Sequence, residues 1–116
     1  MELGMEYEKT LPQVEEKTLQ TKSPNAPVEK SYLVAMSGPQ AGTVFTLTQG
    51  VMVAGRIPQV EICLPDTQVS RKHAQFSSNL GETKVQDLGS TNGTFVNGKR
   101  LDKEQLISDG DEIQIG

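Results

Sequence analysis

Three short segments hold most of the side chains able to do chemistry: Gly55-Arg56, Ser70-Arg71-Lys72-His73 and Gly89-Ser90-Thr91-Asn92-Gly93-Thr94. Together they offer guanidinium forks, hydroxyls and a carboxamide. That is the donor set for a phosphate monoester carried on a peptide. The planar guanidinium of arginine matches two phosphate oxygens at once. Ser and Thr hydroxyls donate to the remaining oxygens, and Asn has both a donor and an acceptor with which to clamp the neighbouring peptide backbone. A phosphothreonine carries roughly −1.5 to −2 charges near neutral pH. Charge-assisted hydrogen bonds contribute about 1.5–3 kcal/mol each. Three or four of them total about 4.5–12 kcal/mol, a range that brackets the ~8 kcal/mol of a micromolar complex before association costs are subtracted.

Other chemistries fit the residues less well. Ser70, His73 and Asp87 supply the types of a hydrolase triad, but no nucleophile-elbow pattern surrounds the serine. A small Ser/His hydrolase stays as one alternative, and a β-sandwich scaffold indifferent to phosphate as another. A Gly-Lys-Ser/Thr phosphate loop is missing. Asp109, Asp111 and Glu112 read as a turn before a strand, because calcium-loop spacing is absent. One histidine and one cysteine make a protein-only zinc site improbable, and the single Cys63 excludes an internal disulfide. Cys63 reads as a small buried hydrophobe. No catalytic residue, metal or cofactor is therefore expected.

The elements that must position these residues are short strands. The 116 residues are one small domain or a domain plus a tail. The hydrophobic share is only 34% and the aromatic share 4%, which excludes a large core. A formal charge of −4 and few aromatics argue against nucleic acid as a partner. The apolar run Val51 to Ala54 is far too short for a bilayer, no apolar run is longer than five residues, and the acidic N-terminus has no secretory signal core. No membrane partner and a cytoplasmic location are expected.

Residues 1–30 read as a flexible acidic tail. Six glutamates face four lysines there, and Pro12, Pro24 and Pro27 interrupt any helix. Glu8-Lys9-Thr10-Leu11 recurs as Glu16-Lys17-Thr18-Leu19. From residue 31 on, β-branched and aromatic runs alternate with turn residues. The pattern predicts strands near Tyr32–Met36, Val44–Leu47, Val51–Ala54, Glu61–Leu64, Ala74–Ser77, Lys84–Asp87, Thr94–Val96 and Glu112–Ile115. The faces of Phe45 and Leu47 stay open. Asn92-Gly93 and Asn97-Gly98 are hairpin signals, since both residue types accept positive φ. The fold class is all-β, a sandwich or small barrel.

Gly55-Arg56, Ser70-Arg71-Lys72-His73-Ala74, and Asp87-Leu88-Gly89-Ser90-Thr91-Asn92-Gly93-Thr94-Phe95-Val96-Asn97-Gly98 resemble the forkhead-associated (FHA) domain. Leu106…Asp109-Gly110-Asp111-Glu112-Ile113…Gly116 is similar to that family's closing signature. The resemblance covers about residues 31–116. It implies a two-sheet, eleven-stranded sandwich, without catalytic activity, that binds a phosphothreonine peptide across loops at one end. Carried onto this sequence, Arg56 grips the phosphate and Ser70 donates its hydroxyl. Thr91 lines the phosphate pocket, Asn92 holds the peptide main chain, and Arg71 contacts phosphate or the +3 residue. Lys72 reads as a solvated charge. His73, Gly55, Gly93, Asn97 and Gly98 are structural support.

The resemblance also implies one more strand after the terminal glycine, pairing between Tyr32–Met36 and Glu112–Ile115. The sequence ends at Gly116, so a domain over 31–116 is expected to lack that strand. The alternative is a strand donated by the tail or by a neighbour. Family analogy places such a module in a larger, bacterial signalling protein, with an output domain such as a diguanylate cyclase beyond it. Thr10, Thr18 and Thr21 are candidate phosphorylation sites for a Ser/Thr kinase. The expected partner is a phosphothreonine in another protein, or in the chain's own tail.

Overall fold

A computed structural model describes residues 1–7 and 31–116. Within them the chain forms eleven strands and no helix. In chain order they are β1 (Glu2–Tyr7), β2 (Ser31–Ala35), β3 (Val44–Leu47), β4 (Gly50–Gly55), β5 (Ile62–Cys63), β6 (Ala74–Asn79), β7 (Glu82–Asp87), β8 (Thr94–Val96), β9 (Lys99–Arg100), β10 (Gln105–Ile107) and β11 (Glu112–Ile115). One sheet runs β3-β2-β1-β11-β8-β9 and the other β10-β7-β6-β4-β5. All neighbours are antiparallel except β4 and β5.

Period-two alternation supplies the core. Leu33 and Ala35 from β2, Ile113 and Ile115 from β11, and Val96 from β8 face inward from the first sheet. Ala54, Ile62, Ala74, Phe76, Val85 and Ile107 meet them from the second. Leu47 is buried and Phe45 packs partly against the same core, so both point inward from β3.

The N-terminus departs from the tail expected over residues 1–30. Glu2–Tyr7 is the central strand of the six-stranded sheet, antiparallel to both neighbours. Gly4 pairs with Val34 on one side and Glu112 on the other. Leu3 and Met5 are fully buried. The gap anticipated between β2 and β11 is thus filled by the chain's own start, the alternative of a strand donated by the tail. The physical reason is pattern: Leu3 and Met5 alternate with Glu2, Gly4 and Glu6. A central gap would leave two rows of backbone groups unpaired over an apolar floor.

The structure corrects a second expectation. Asn97-Gly98 does form a two-residue hairpin between β8 and β9, with φ of 50° and 86°. Asn92-Gly93 does not, because it joins β7 to β8, which lie in different sheets. Cys63 is half-buried on an edge strand and is not a core residue. Its thiol lies 3.8 Å from the Arg56 carbonyl. Among the described residues no helix is long and apolar enough to cross a membrane.

Candidate functional site

The loops after β4, before β6 and between β7 and β8 meet at one end of the sandwich. Gly55 makes this approach possible. A Cβ at that position would stand 1.9 Å from the Arg71 carbonyl oxygen. The next residue, Arg56, donates its backbone N–H to the carbonyls of Ser70 and Arg71, at 3.0 and 3.1 Å. Its side-chain Nε donates to Val69 O at 2.9 Å. The guanidinium is therefore aimed by one bond, and its terminal N–H groups have no partner among the described residues.

Ser70 is set by His73. The Ser70 backbone N–H donates to His73 Nδ1 at 3.0 Å, and His73 Nε2 lies 2.8 Å from Gly93 O. Nδ1 accepts, so the proton sits on Nε2, which donates to Gly93. The fully buried imidazole thus staples two loops together. The Ser70 hydroxyl oxygen accepts the Thr91 N–H at 3.1 Å, which leaves its proton free to donate into the cleft. Asn92 Nδ2 donates to Gln68 O and Oε1, at 2.8 and 3.2 Å. Its Oδ1 has no partner among the described residues.

These side chains share a cleft of ≈ 360 Å³ lined by Arg56, Thr67, Gln68, Val69, Ser70, Arg71, Thr91 and Asn92. The five residues expected to contact a phosphopeptide are all in it. Lys72 is exposed and outside the lining. Asn97 and Gly98 sit at the opposite end of β8, where Asn97 ties to Asp111 and to the Glu112 N–H. They support the β8–β9 hairpin and β11, not the cleft. Thr67, Gln68 and Val69 were not anticipated; their one signal is adjacency to Ser70. A depression of ≈ 390 Å³ elsewhere is lined by Glu6, Asp109 and Glu112 beside Gly4 and Met36. Its acidic rim would repel a phosphate.

Asp87 underlies the third loop. Its carboxylate accepts the Ser90 hydroxyl at 2.6 Å, the Thr94 hydroxyl at 2.7 Å, and the backbone N–H groups of Gly89 and Ser90. Burial alone would raise its pKa, but the Ser90 and Thr94 hydroxyls and the two amides together hold it below the ordinary aspartate value. A depressed folded-state pKa stabilises the fold above the unfolded value, about 3.9 for aspartate. That stabilisation fades as pH falls through the folded value. Asp87→Asn is therefore expected to cost about 1–3 kcal/mol at neutral pH. It should also flatten the loss of stability below about pH 4, as read from urea unfolding across that range.

This arrangement disposes of the hydrolase reading. His73 contacts the Ser70 backbone and not its hydroxyl, and both ring nitrogens are occupied. Asp87 bonds Ser90 and Thr94 and not His73. Asp109-Gly110 is a turn leading into β11, with Asp111 accepting the Ser108 N–H. Among the described residues no cluster could hold a metal ion.

A family model for the FHA domain matches residues 52–116. The chain belongs to the FHA domain family. It is 47% identical over 96 residues to the oxoglutarate dehydrogenase inhibitor of Corynebacterium efficiens, across 83% of this chain and 67% of that protein. It is 46% identical over 90 residues to the glycogen accumulation regulator GarA of Mycolicibacterium smegmatis, across 78% and 56% respectively. The chain thus spans about two thirds of one relative and little over half of the other. A solved FHA domain studied for phosphothreonine-dependent interactions superposes with a TM-score of 0.63 at 36% identity, covering 67% of this chain and 80% of that one. The two-sheet sandwich is that of the FHA family.

Proposed function

We propose that this FHA domain captures a phosphothreonine peptide in the cleft between Arg56 and Asn92, and regulates a partner protein by doing so. In this reading Arg56 grips the phosphate, the Ser70 hydroxyl and Thr91 bind its remaining oxygens, and Asn92 holds the peptide backbone through its free Oδ1. Arg71 faces phosphate or the residue at +3. The observation that carries the reading is that donors from three separate loops open unspent into one cleft. The relatives named as an inhibitor and a regulator favour control by binding over a cyclase output domain.

The ligand we favour is the chain's own N-terminal segment. Thr10, Thr18 and Thr21 lie outside the described residues. Chain length nevertheless separates them. Tyr7 pairs with Ser31 at the end of the sheet remote from the cleft, whereas Met1 pairs beside Ile115, next to Gly116 and Gln68. The six residues of β1 alone span about 20 Å. Thr10, three residues past Tyr7, reaches at most about 10 Å from that end. Thr18 is 11 residues from Tyr7 and Thr21 is 10 from Ser31, and each reaches roughly 35 Å. While β1 is docked, only Thr18 and Thr21 have the chain length to reach their own cleft; in this reading phospho-Thr10 is a ligand for a second copy. Tethering supplies an effective concentration near millimolar.

Peptides around the three threonines, each plain and phosphorylated, should be titrated into the unphosphorylated full chain by calorimetry. Phosphorylated forms should bind and plain forms should not. Chain phosphorylated at Thr18 or Thr21 by a Ser/Thr kinase should no longer accept the peptides. Equal binding of plain and phosphorylated peptides would identify the phosphate-indifferent scaffold instead.

A further inference from the structure

The cleft carries a second chemistry in the dipeptide Asn92-Gly93. Asparagine followed by glycine is the pair most open to attack by the backbone on its own side chain, because glycine offers that nitrogen no shielding side chain. The fold requires the glycine. Gly93 has φ of 89°, a left-handed backbone conformation that residues with a Cβ rarely adopt. The carboxamide that opens into the cleft is thus bound in sequence to the amide that threatens it.

Two contacts oppose that attack. The Gly93 N–H donates to Ser90 Oγ at 2.8 Å, and the Ser90 hydroxyl donates to Asp87 Oδ1 at 2.6 Å. To react, the Gly93 nitrogen must leave Ser90 and lose its proton, and the developing negative charge stands near the Asp87 carboxylate. Asn92 Nδ2 is meanwhile held by Gln68. Asn97-Gly98 provides an internal reference. Its carboxamide is held by Asp111 and the Glu112 N–H, independently of Ser90.

We propose that Asn92-Gly93 is a deamidation site built into the binding cleft, and that the Ser90 hydroxyl holds it in check. The Gly93 nitrogen attacks Asn92 Cγ and the N–Cγ bond forms. The Cγ–Nδ2 bond breaks, and Nδ2 leaves as ammonia, with the Gly93 proton transferred through water. Water then opens the five-membered imide at either carbonyl, giving aspartate or its β-linked isomer. The product sets a carboxylate in the cleft and adds one negative charge to a chain already at −4. If the cleft binds phosphate as proposed above, affinity falls with it, but the chemistry is read independently of that function.

The experiment incubates the full chain in mildly alkaline buffer and follows amide-to-acid conversion at Asn92 and Asn97 by peptide mapping. Wild type, Ser90→Ala and Ser90→Thr are compared with a free peptide of residues 88–96. Wild-type Asn92 should convert more slowly than the peptide. Ser90→Ala should raise its rate roughly fivefold, the weight of one ordinary hydrogen bond, with Asn97 unchanged. Ser90→Thr keeps the hydroxyl and should convert at the wild-type rate. The proposal is overturned if Ser90→Ala leaves the Asn92 rate unaltered, or if both asparagines accelerate together. It is equally overturned if Ser90→Thr converts as fast as Ser90→Ala.

Discussion

Replacing Arg56 with alanine should weaken phosphothreonine-peptide binding at least ~30-fold, about 2 kcal/mol, while leaving the unfolding midpoint almost unchanged. The two halves of this expectation have separate causes. The guanidinium is exposed and spends one N–H on Val69 O, so little folding energy depends on it. Its remaining N–H groups face the cleft, where each bond to a dianion is charge-assisted. Arg56→Lys should recover only part of the loss, since an ammonium keeps the charge but not the planar fork. Calorimetric titration of a phosphorylated Thr18 peptide into both variants, beside thermal melts, reads the two effects separately. Unchanged affinity in Arg56→Ala would remove this residue from the site.

Leu3→Asp should unfold the domain, or bring it to the edge of unfolding. Leu3 is fully buried in the central strand of the six-stranded sheet, across from Ala35 and Ile113. An unpaired carboxylate there costs several kcal/mol. That is a large part of the roughly 5–15 kcal/mol by which a domain is stable. Leu3→Ala is the gentler form and should cost about 3–5 kcal/mol through its cavity. Urea unfolding distinguishes a central strand from a loose tail without ambiguity. A tail residue would tolerate aspartate within about 0.5 kcal/mol.

The strands legible in the sequence were those with β-branched or aromatic alternation, and the structure contains each of them. Those missed lacked that signal. Lys99–Arg100 and Gln105–Ile107 are short, and of their side chains only Ile107 is buried. β1 carried alternation in Leu3 and Met5, but it has no β-branched residue, glycine and glutamate are poor strand formers, and the surrounding segment is acidic. Tertiary context overrode local preference, because the slot between β2 and β11 rewards any extended apolar alternation. Asn92-Gly93 misled for a related reason. Positive φ at the glycine was correctly foreseen, but a dipeptide signal says nothing of which sheet follows. That Arg56, Ser70, Arg71, Thr91 and Asn92 gather in one cleft was legible because guanidinium, hydroxyl and carboxamide groups are concentrated in three loop segments of the sequence. Gln68 was not, because its part depends on the loop's path beside Asn92, which no residue pattern displays.

Nitrogen–proton correlation spectra of the unphosphorylated full chain, recorded as a phosphorylated Thr18 peptide is added, test the central claim most directly. Saturable shifts should concentrate on the amides of Arg56, Ser70, Thr91 and Asn92, and the unphosphorylated peptide should produce none. Shifts that appear with either peptide, or that gather on the outer face of the six-stranded sheet around Gly4 and Glu112, would contradict it.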